Sequence, residues 1–116
     1  MNVLFILNDP PYGTERSYNA LRLALQLAKG EGATIRVFLM ADGTNCAKQG
    51  QETPDGYYNL ARMLRILLRK NADVGACGTC MDARGLREDE LLDGVHRSTM
   101  EELATWTHEA DKVLVF

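Results

Sequence analysis

Short apolar runs alternate with longer amphipathic stretches along this chain. Residues 3–7 form a continuous apolar run, and residues 34–40 place apolar side chains on both faces of an extended segment. Residues 73–76 form a brief third run, and residues 112–116 form a fourth. Apolar runs of this length are typical of strands that are buried on both faces, as in a parallel sheet.

The stretches between these runs have the periodicity of helices. In the first stretch, Tyr18, Leu21 and Leu25 fall on one face, and Leu23 and Leu27 widen that face. We predict a first helix at residues 14–29, with Thr14 as N-cap and Gly30 past its end. Two further helices are predicted at residues 60–70 and 79–83. A fourth helix is predicted to follow a capping box of Ser98 and Glu101.

The alternation of strands and helices defines a fold class. It predicts an α/β protein: a three-layer α/β/α sandwich with a parallel sheet of four to five strands. The chain has 116 residues and is 46% hydrophobic, which suits a single domain over residues 1–116 with its own core.

Charge and hydropathy narrow the classes of partner. The formal net charge of −3 argues against a nucleic-acid-binding protein. We interpret the basic cluster Arg62, Arg65, Arg69 and Lys70 as a solvated helix face. No apolar run is long enough to cross a membrane. Residues 1–8 are interpreted as a strand and not as a signal peptide, so the expected compartment is the cytoplasm.

Three segments with unusual residues follow predicted strands. The first strand leads into residues 9–13, and the second leads into a polar stretch at residues 41–56 that contains Asp42 and Cys46. The third strand leads directly into Cys77. In a parallel sheet, ligands bind outside the carboxyl ends of the strands, so we expect the chemistry to lie at this edge.

The pair Cys77 and Cys80 carries the clearest chemical signal. The odd number of cysteines in a reducing compartment indicates thiol chemistry or metal binding and not structural disulfides. Cys77 lies between a strand and a predicted helix start, where backbone N–H groups stabilise a thiolate. Cys80 lies one helical turn further on, and Arg84 adds positive charge nearby.

Other interpretations of the cysteines and histidines remain open. Cys46 is equally well explained as a small buried apolar residue. A zinc site needs four ligands, and Cys77, Cys80 and Cys46 with one histidine have irregular spacing. His96 is placed in a polar loop and His108 near the end of a helix. A thioredoxin is disfavoured because the motif comes late and no proline follows it. We predict no metal and no cofactor.

Four segments together resemble the DsrE/DsrF-like family, in particular its YchN-like branch. The resemblance covers essentially the whole chain, and its strongest segments are residues 9–16 (DPPYGTER), 37–42 (VFLMAD), 46–51 (CAKQGQ) and 76–85 (ACGTCMDARG). It implies a three-layer α/β/α domain and a homo-oligomer, a trimer or a hexamer. It also implies a place in sulfur transfer between donor and acceptor proteins.

The resemblance assigns a role to one cysteine. In sulfur-transfer relatives an acceptor cysteine precedes an Arg-Gly pair, and Cys77 has that spacing to Arg84 and Gly85. Cys77 is therefore expected to accept a persulfide sulfur. Cys80 has no counterpart in that pattern, so it either resolves the persulfide or marks a dithiol protein with another task.

Three hypotheses follow. The first is a cytoplasmic sulfur carrier in which Glu15, Arg16 and Asp42 shape the site and Cys46 lies on a covering loop. The second is a non-catalytic oligomeric module that uses Cys77 and Cys80 for redox sensing or metal binding. The third is a nucleotide or anion binder at the same sheet edge. Whether the protein is an enzyme is left open by the sequence.

Overall fold

Strands and helices alternate along the whole chain in a computed structural model that describes residues 1–55 and 57–116. The strands are β1 (Asn2–Leu7), β2 (Thr34–Leu39), β3 (Asp73–Cys77), β4 (Val95–Ser98) and β5 (Lys112–Val115). The helices are α1 (Arg16–Ala28), α2 (Leu60–Arg69), α3 (Gly78–Ala83) and α4 (Met100–Glu109), with 3-10 helices at Ala41–Ala47 and Glu88–Glu90.

The five strands form one sheet in the order β4-β3-β2-β1-β5. Every neighbouring pair is parallel, so all five strands end at the same edge. The sequence predicted the thiol site at this edge. The predicted fold class, a three-layer α/β/α sandwich with a parallel sheet, is confirmed.

Alternate strand residues point into two cores of unequal size. The larger core lies beneath α1 and α2 and includes Phe5, Val37 and Leu64. The smaller core lies beneath α3 and α4, where the ring of Phe38 meets the ring of Trp106 edge to face at 6.3 Å. Burial of these side chains on both faces explains the continuous apolar runs of the strands.

Strand β4 is absent from the sequence prediction, which placed His96 in a polar loop. The prediction was wrong because Val95–Ser98 (VHRS) carries mostly polar side chains at the edge of the sheet. Its register is fixed by pairing with β3, where Gly75 opposes His96 and Cys77 opposes Ser98. Long-range pairing of this kind leaves no periodic pattern in the strand itself.

The predicted helix caps are shifted by one residue. Thr99, and not Ser98, caps α4, and its side chain accepts a hydrogen bond from the Glu102 N–H at 3.2 Å. Helix α1 begins at Arg16 and not at Thr14, whose hydroxyl accepts from the Arg16 N–H at 3.1 Å.

The buried face of α1 is also narrower than the periodicity predicts. Its fully buried residues are Ser17, Ala20, Leu21 and Ala24, whereas Leu23 is 40% exposed. The interpretation of Leu23 as part of the core face was therefore wrong.

The segment after β2 is an ordered turn and not an open loop. Its first half forms the 3-10 helix Ala41–Ala47, and Gly43 packs directly against the end of β1. A Cβ atom at Gly43 would lie 2.2 Å from the backbone oxygen of Leu7, so only glycine fits there. Gly56, the last residue of the predicted loop, lies outside the described residues.

Candidate functional site

Cys77 is the last residue of β3 and lies at the carboxyl edge of the sheet. The next residue, Gly78, begins α3, so the chain passes from strand to helix at this cysteine. The Cys77 side chain is nearly buried, with 5% of its surface exposed, and it packs against the smaller core. The strand-then-helix pattern of the sequence therefore placed this thiol correctly.

Hydrogen-bond donors surround the Cys77 sulfur. The Thr79 hydroxyl lies 3.3 Å from Cys77 Sγ. Burial raises the pKa of the Cys77 thiol, but hydrogen bonds from the Thr79 hydroxyl, the Cys80 thiol and the backbone N–H groups of both residues outweigh it. The net effect is a pKa below the ordinary value, because these donors stabilise the thiolate more than burial disfavours it.

Cys80 lies within α3 and is the partly exposed member of the pair. Burial raises the pKa of its thiol, and its hydrogen bond to Cys77 raises it further. The Ala41 N–H and the positive charge of Arg84 act in the opposite direction without reversing the shift. The pKa of Cys77 therefore lies below the ordinary value and that of Cys80 above it, so Cys77 is the more readily ionised thiol of the pair.

Arg84 links the end of α3 to the segment after β2. Its Nε lies 2.8 Å from Asp42 Oδ1, and its Nη1 donates to the Cys80 carbonyl oxygen at 3.1 Å. Two of the predicted site residues, Asp42 and Arg84, are thus brought together beside Cys80. Their ion pair joins the two segments that follow β2 and β3.

Arg97 is a site residue that the sequence prediction missed. Together with Cys77, Gly78 and Thr79 it lines a pocket of about 200 Å³, which is completed by Ser98, Thr99 and Met100. Its guanidinium lies so close over Gly78 that a Cβ atom there would be 2.7 Å from it. In the sequence, Gly78 indicated that another group packs closely against the backbone here, but it did not identify that group as Arg97.

Glu15 and Arg16 lie at the start of α1, after β1. Arg16 Nε is 3.7 Å from Asp9 Oδ2, and both Glu15 and Arg16 are exposed. In residues 1–55 and 57–116 neither side chain forms a hydrogen bond or an ion pair with Cys77 or Cys80. They share the sheet edge with the thiol pair without touching it.

Cys46 lies in the larger core, on the opposite face of the sheet from Cys77. Its side chain is fully buried and its Sγ donates to the Asp9 carbonyl oxygen at 3.7 Å. Burial raises the pKa of the Cys46 thiol to about 12, although a hydrogen bond with Ser17 opposes the shift. This is the environment of a buried apolar residue and not of a thiol on a covering loop.

The two histidines lie outside the thiol pair. His96 Nε2 is hydrogen-bonded to the Glu102 carboxylate, to which Ser98 Oγ also donates at 2.5 Å. His108 lies in the last turn of α4. In the part of the chain that the structure describes, no three His, Cys, Asp or Glu side chains converge as metal ligands.

No helix among the described residues is long and apolar enough to span a membrane.

The fold and the site define a three-layer α/β/α protein with a thiol pair at the carboxyl edge of a parallel sheet. The chain belongs to the DsrE/DsrF-like family, which it matches over residues 1–116.

Two curated relatives show the extent of the similarity. Protein YchN of Escherichia coli K12 is 44% identical over 115 residues, which cover 98% of this chain and 97% of the relative. A protein of Methanopyrus kandleri, MK0008, is 40% identical over 114 residues, which cover 98% of this chain and 93% of the relative.

Two solved structures agree with the fold. The crystal structure of E. coli YchN has a TM-score of 0.93 and 43% identity, and the match covers 99% of this chain and 98% of that one. The structure of MTH1491 from Methanobacterium thermoautotrophicum has a TM-score of 0.80 at 20% identity, with coverage of 99% and 98%. The second match supports the fold alone.

Proposed function

We propose that this protein is a small sulfur carrier of the sulfurtransferase type, in which Cys77 accepts a persulfide sulfur and passes it on. The observation that carries the proposal is the set of donors around Cys77 Sγ, with the Thr79 hydroxyl at 3.3 Å. A thiolate is the nucleophilic form of cysteine, and these donors favour it. The association of the DsrE/DsrF-like family with sulfur relay supports the same role.

The uptake step is a thiolate exchange. The Cys77 thiolate attacks the outer sulfur of a donor persulfide, a bond forms between Cys77 Sγ and that sulfur, and the sulfur–sulfur bond of the donor breaks. The electron pair of the broken bond stays on the donor, which leaves as a thiolate. The outer sulfur then passes its proton to the departing donor thiolate, so the persulfide on Cys77 is an anion. Delivery is the same step with an acceptor thiolate as the nucleophile.

The pocket beside Cys77 suits a bound outer sulfur. Its volume of about 200 Å³ leaves space next to Cys77 Sγ, and Arg97 places a positive charge on the wall. The outer sulfur of a persulfide is anionic in this proposal, so the guanidinium of Arg97 stabilises it. Met100, which is 59% exposed at the rim, offers an apolar contact to a donor or acceptor protein.

The test is residue-resolved mass spectrometry after incubation with a persulfide donor. Cys80→Ser, in which no neighbouring thiol can act on the bound sulfur, and Cys77→Ser are treated with inorganic polysulfide under argon and digested after alkylation. We expect one added sulfur atom on Cys77 and none on the remaining cysteines of Cys77→Ser. A Cys77 thiol that is shown to be free and gains no sulfur contradicts the proposal.

The proposal includes a homo-oligomer, a trimer or a hexamer, in the cytoplasm. Support comes from the apolar edge strand β5, where Val115 is 64% and Val113 is 39% exposed. Three free thiols also fit a reducing compartment. Light scattering coupled to gel filtration gives the mass of the particle directly, and a monomer at micromolar concentration would exclude the homo-oligomer.

A second candidate function is an oligomeric redox sensor. It is favoured by the hydrogen bond between the Cys80 thiol and Cys77, which brings two sulfurs into reach of each other. Oxidation by peroxide would then close a disulfide without any sulfur transfer. Treatment of the reduced protein with stoichiometric peroxide, in the absence of persulfide, distinguishes the candidates: rapid closure of a disulfide between Cys77 and Cys80 supports the sensor, whereas a pair that stays reduced under peroxide but takes up sulfur from a persulfide supports the carrier.

A further inference from the structure

The second cysteine of the pair is placed to act on the sulfur that the first one carries. We propose that Cys80 discharges the Cys77 persulfide, which releases sulfide and closes a disulfide between Cys77 and Cys80. This inference rests on the proposed uptake of sulfur by Cys77. The protein then reduces one persulfide sulfur per cycle and releases it as sulfide, whenever no acceptor thiol takes the sulfur first.

The discharge step balances without an added oxidant. The Cys80 sulfur attacks Cys77 Sγ, a bond forms between the two cysteine sulfurs, and the bond between Cys77 Sγ and the outer sulfur breaks. The outer sulfur takes the electron pair and the Cys80 proton and leaves as hydrosulfide. The Cys80 sulfur is oxidised from the thiol to the disulfide level, Cys77 Sγ stays at that level, and the outer sulfur is reduced to sulfide.

The spacing permits the disulfide. Cys77 is the residue before α3 and Cys80 lies in its first turn. This is the arrangement of Cys-x-x-Cys pairs, in which the first cysteine precedes a helix and the two sulfurs interconvert between dithiol and disulfide. The Cys80 thiol is near enough to the Cys77 sulfur to contribute to lowering its pKa.

The surroundings of Cys80 support a second nucleophile. The backbone N–H of Ala41 stabilises a Cys80 thiolate, and the positive charge of Arg84 does the same. Ala41 has a backbone φ of 51°, the left-handed region that non-glycine residues rarely adopt. The structure holds this strained residue where its N–H reaches Cys80, and strain of this kind concentrates at functional sites.

Sulfur loading itself favours the second step. In the free pair, the Cys77 thiolate accepts a hydrogen bond from the Cys80 thiol, and its negative charge also raises the Cys80 pKa. In the persulfide, Cys77 Sγ carries no charge and the negative charge has moved to the outer sulfur, one bond away. The opposition to Cys80 ionisation is therefore weaker, so loading of Cys77 makes Cys80 the more readily ionised and the better nucleophile.

The proposal places a requirement on the surrounding chemistry. Each discharge leaves the pair oxidised, so a dithiol reductant has to restore both thiols before the next cycle. A reaction that consumes sulfide has to follow.

The experiment compares wild-type protein with Cys80→Ser in a single turnover. Both proteins are reduced, freed of reductant under argon, loaded with substoichiometric polysulfide, and assayed for free sulfide with a bimane reagent and for intact mass. We expect the wild type to release one sulfide per sulfur loaded in addition to the sulfide that the polysulfide leaves on loading, which Cys80→Ser also shows, and to lose two hydrogens. Cys80→Ser is expected to keep the sulfur on Cys77.

The outcomes separate this inference from the proposed function. If neither protein takes up sulfur, the carrier proposal itself is wrong and the inference falls with it. If both keep the sulfur on Cys77 to the same extent, the carrier proposal stands and the discharge is contradicted. Cys80→Ala is measured in parallel, with circular dichroism of both variants, so that a folding defect in one substitution does not decide the result.

Discussion

Arg97 and Asp82 are joined by two parallel hydrogen bonds, with Nη1 and Nη2 at 2.8 and 2.9 Å from the two carboxylate oxygens. The pair bridges β4 and α3 and holds the guanidinium over Gly78, next to Cys77. A two-point contact fixes the plane as well as the position of the guanidinium. Asp82 therefore positions the Arg97 guanidinium in the wall of the Cys77 pocket.

This arrangement predicts how Cys77 discriminates between charged and neutral reagents. Arg97→Met is expected to lower the alkylation rate by iodoacetate relative to iodoacetamide by a few-fold, because the positive charge on the wall is lost. Asp82→Asn is expected to raise the same ratio, since it leaves the guanidinium charge uncompensated. Stopped-time mass spectrometry of the Cys77 peptide gives both rates.

The matched control for this measurement is Arg87→Met. Arg87 is an exposed arginine that pairs with Asp89, away from the pocket. Its substitution should leave the ratio unchanged. A ratio that falls equally in Arg87→Met and Arg97→Met would show that the overall charge, and not the pocket, controls the reagent preference.

The position of Cys77 was predictable from local patterns, whereas that of Arg97 was not. An apolar run followed by a helical stretch is enough to put Cys77 at a strand end. Arg97 reaches the site because β4 pairs with β3, and the polar sequence of β4 gives no sign of a strand. The burial of Cys46 was not predictable for a similar reason, because the local sequence does not show which face of the sheet its segment covers.

Gly43 is predicted to be essential for the segment that supports Cys80. Gly43→Ala should lower the free energy of unfolding by about 2–4 kcal/mol, because the new Cβ meets the Leu7 carbonyl oxygen at 2.2 Å. Chemical denaturation measures the loss. Gly30→Ala is the control, since its Cβ would meet only the Leu27 oxygen, at 3.8 Å. Equal stability of the two variants would contradict the packing described here.

Ionisation of Cys46 is predicted to lower the free energy of unfolding at alkaline pH. Burial raises its pKa to about 12 in the folded state, whereas an unfolded cysteine ionises near 8.5. The stabilisation is therefore complete below the unfolded pKa and is lost as the pH rises towards the folded one. The expected slope from this group is about 1.4 kcal/mol per pH unit within that window.

The measurement is the free energy of unfolding of the wild type minus that of Cys46→Ala, followed from neutral to alkaline pH. The difference should stay constant up to about pH 8.5 and then shift steadily against the wild type. Other titrating groups cancel in the subtraction. A difference that is independent of pH would mean that Cys46 ionises alike in the folded and unfolded protein.

Thr79 is predicted to hold part of the Cys77 activation. Thr79→Val removes the hydroxyl that lies 3.3 Å from Cys77 Sγ, and we expect the Cys77 pKa to rise because the thiolate loses this donor. Thr79→Ser keeps the hydroxyl and should restore the wild-type pKa. Thr79 is exposed, so neither substitution removes core packing. Identical pKa values in the valine and serine variants would exclude this role.

The most direct test of the account is the pH dependence of alkylation of each cysteine in the folded wild-type protein, read by mass spectrometry. The account predicts that Cys77 reacts as a thiolate clearly below the ordinary cysteine pKa of roughly 8.5, that Cys80 reacts only above it, and that Cys46 stays unreactive until the protein unfolds. A Cys77 that ionises at or above the ordinary value would contradict its role as the activated nucleophile.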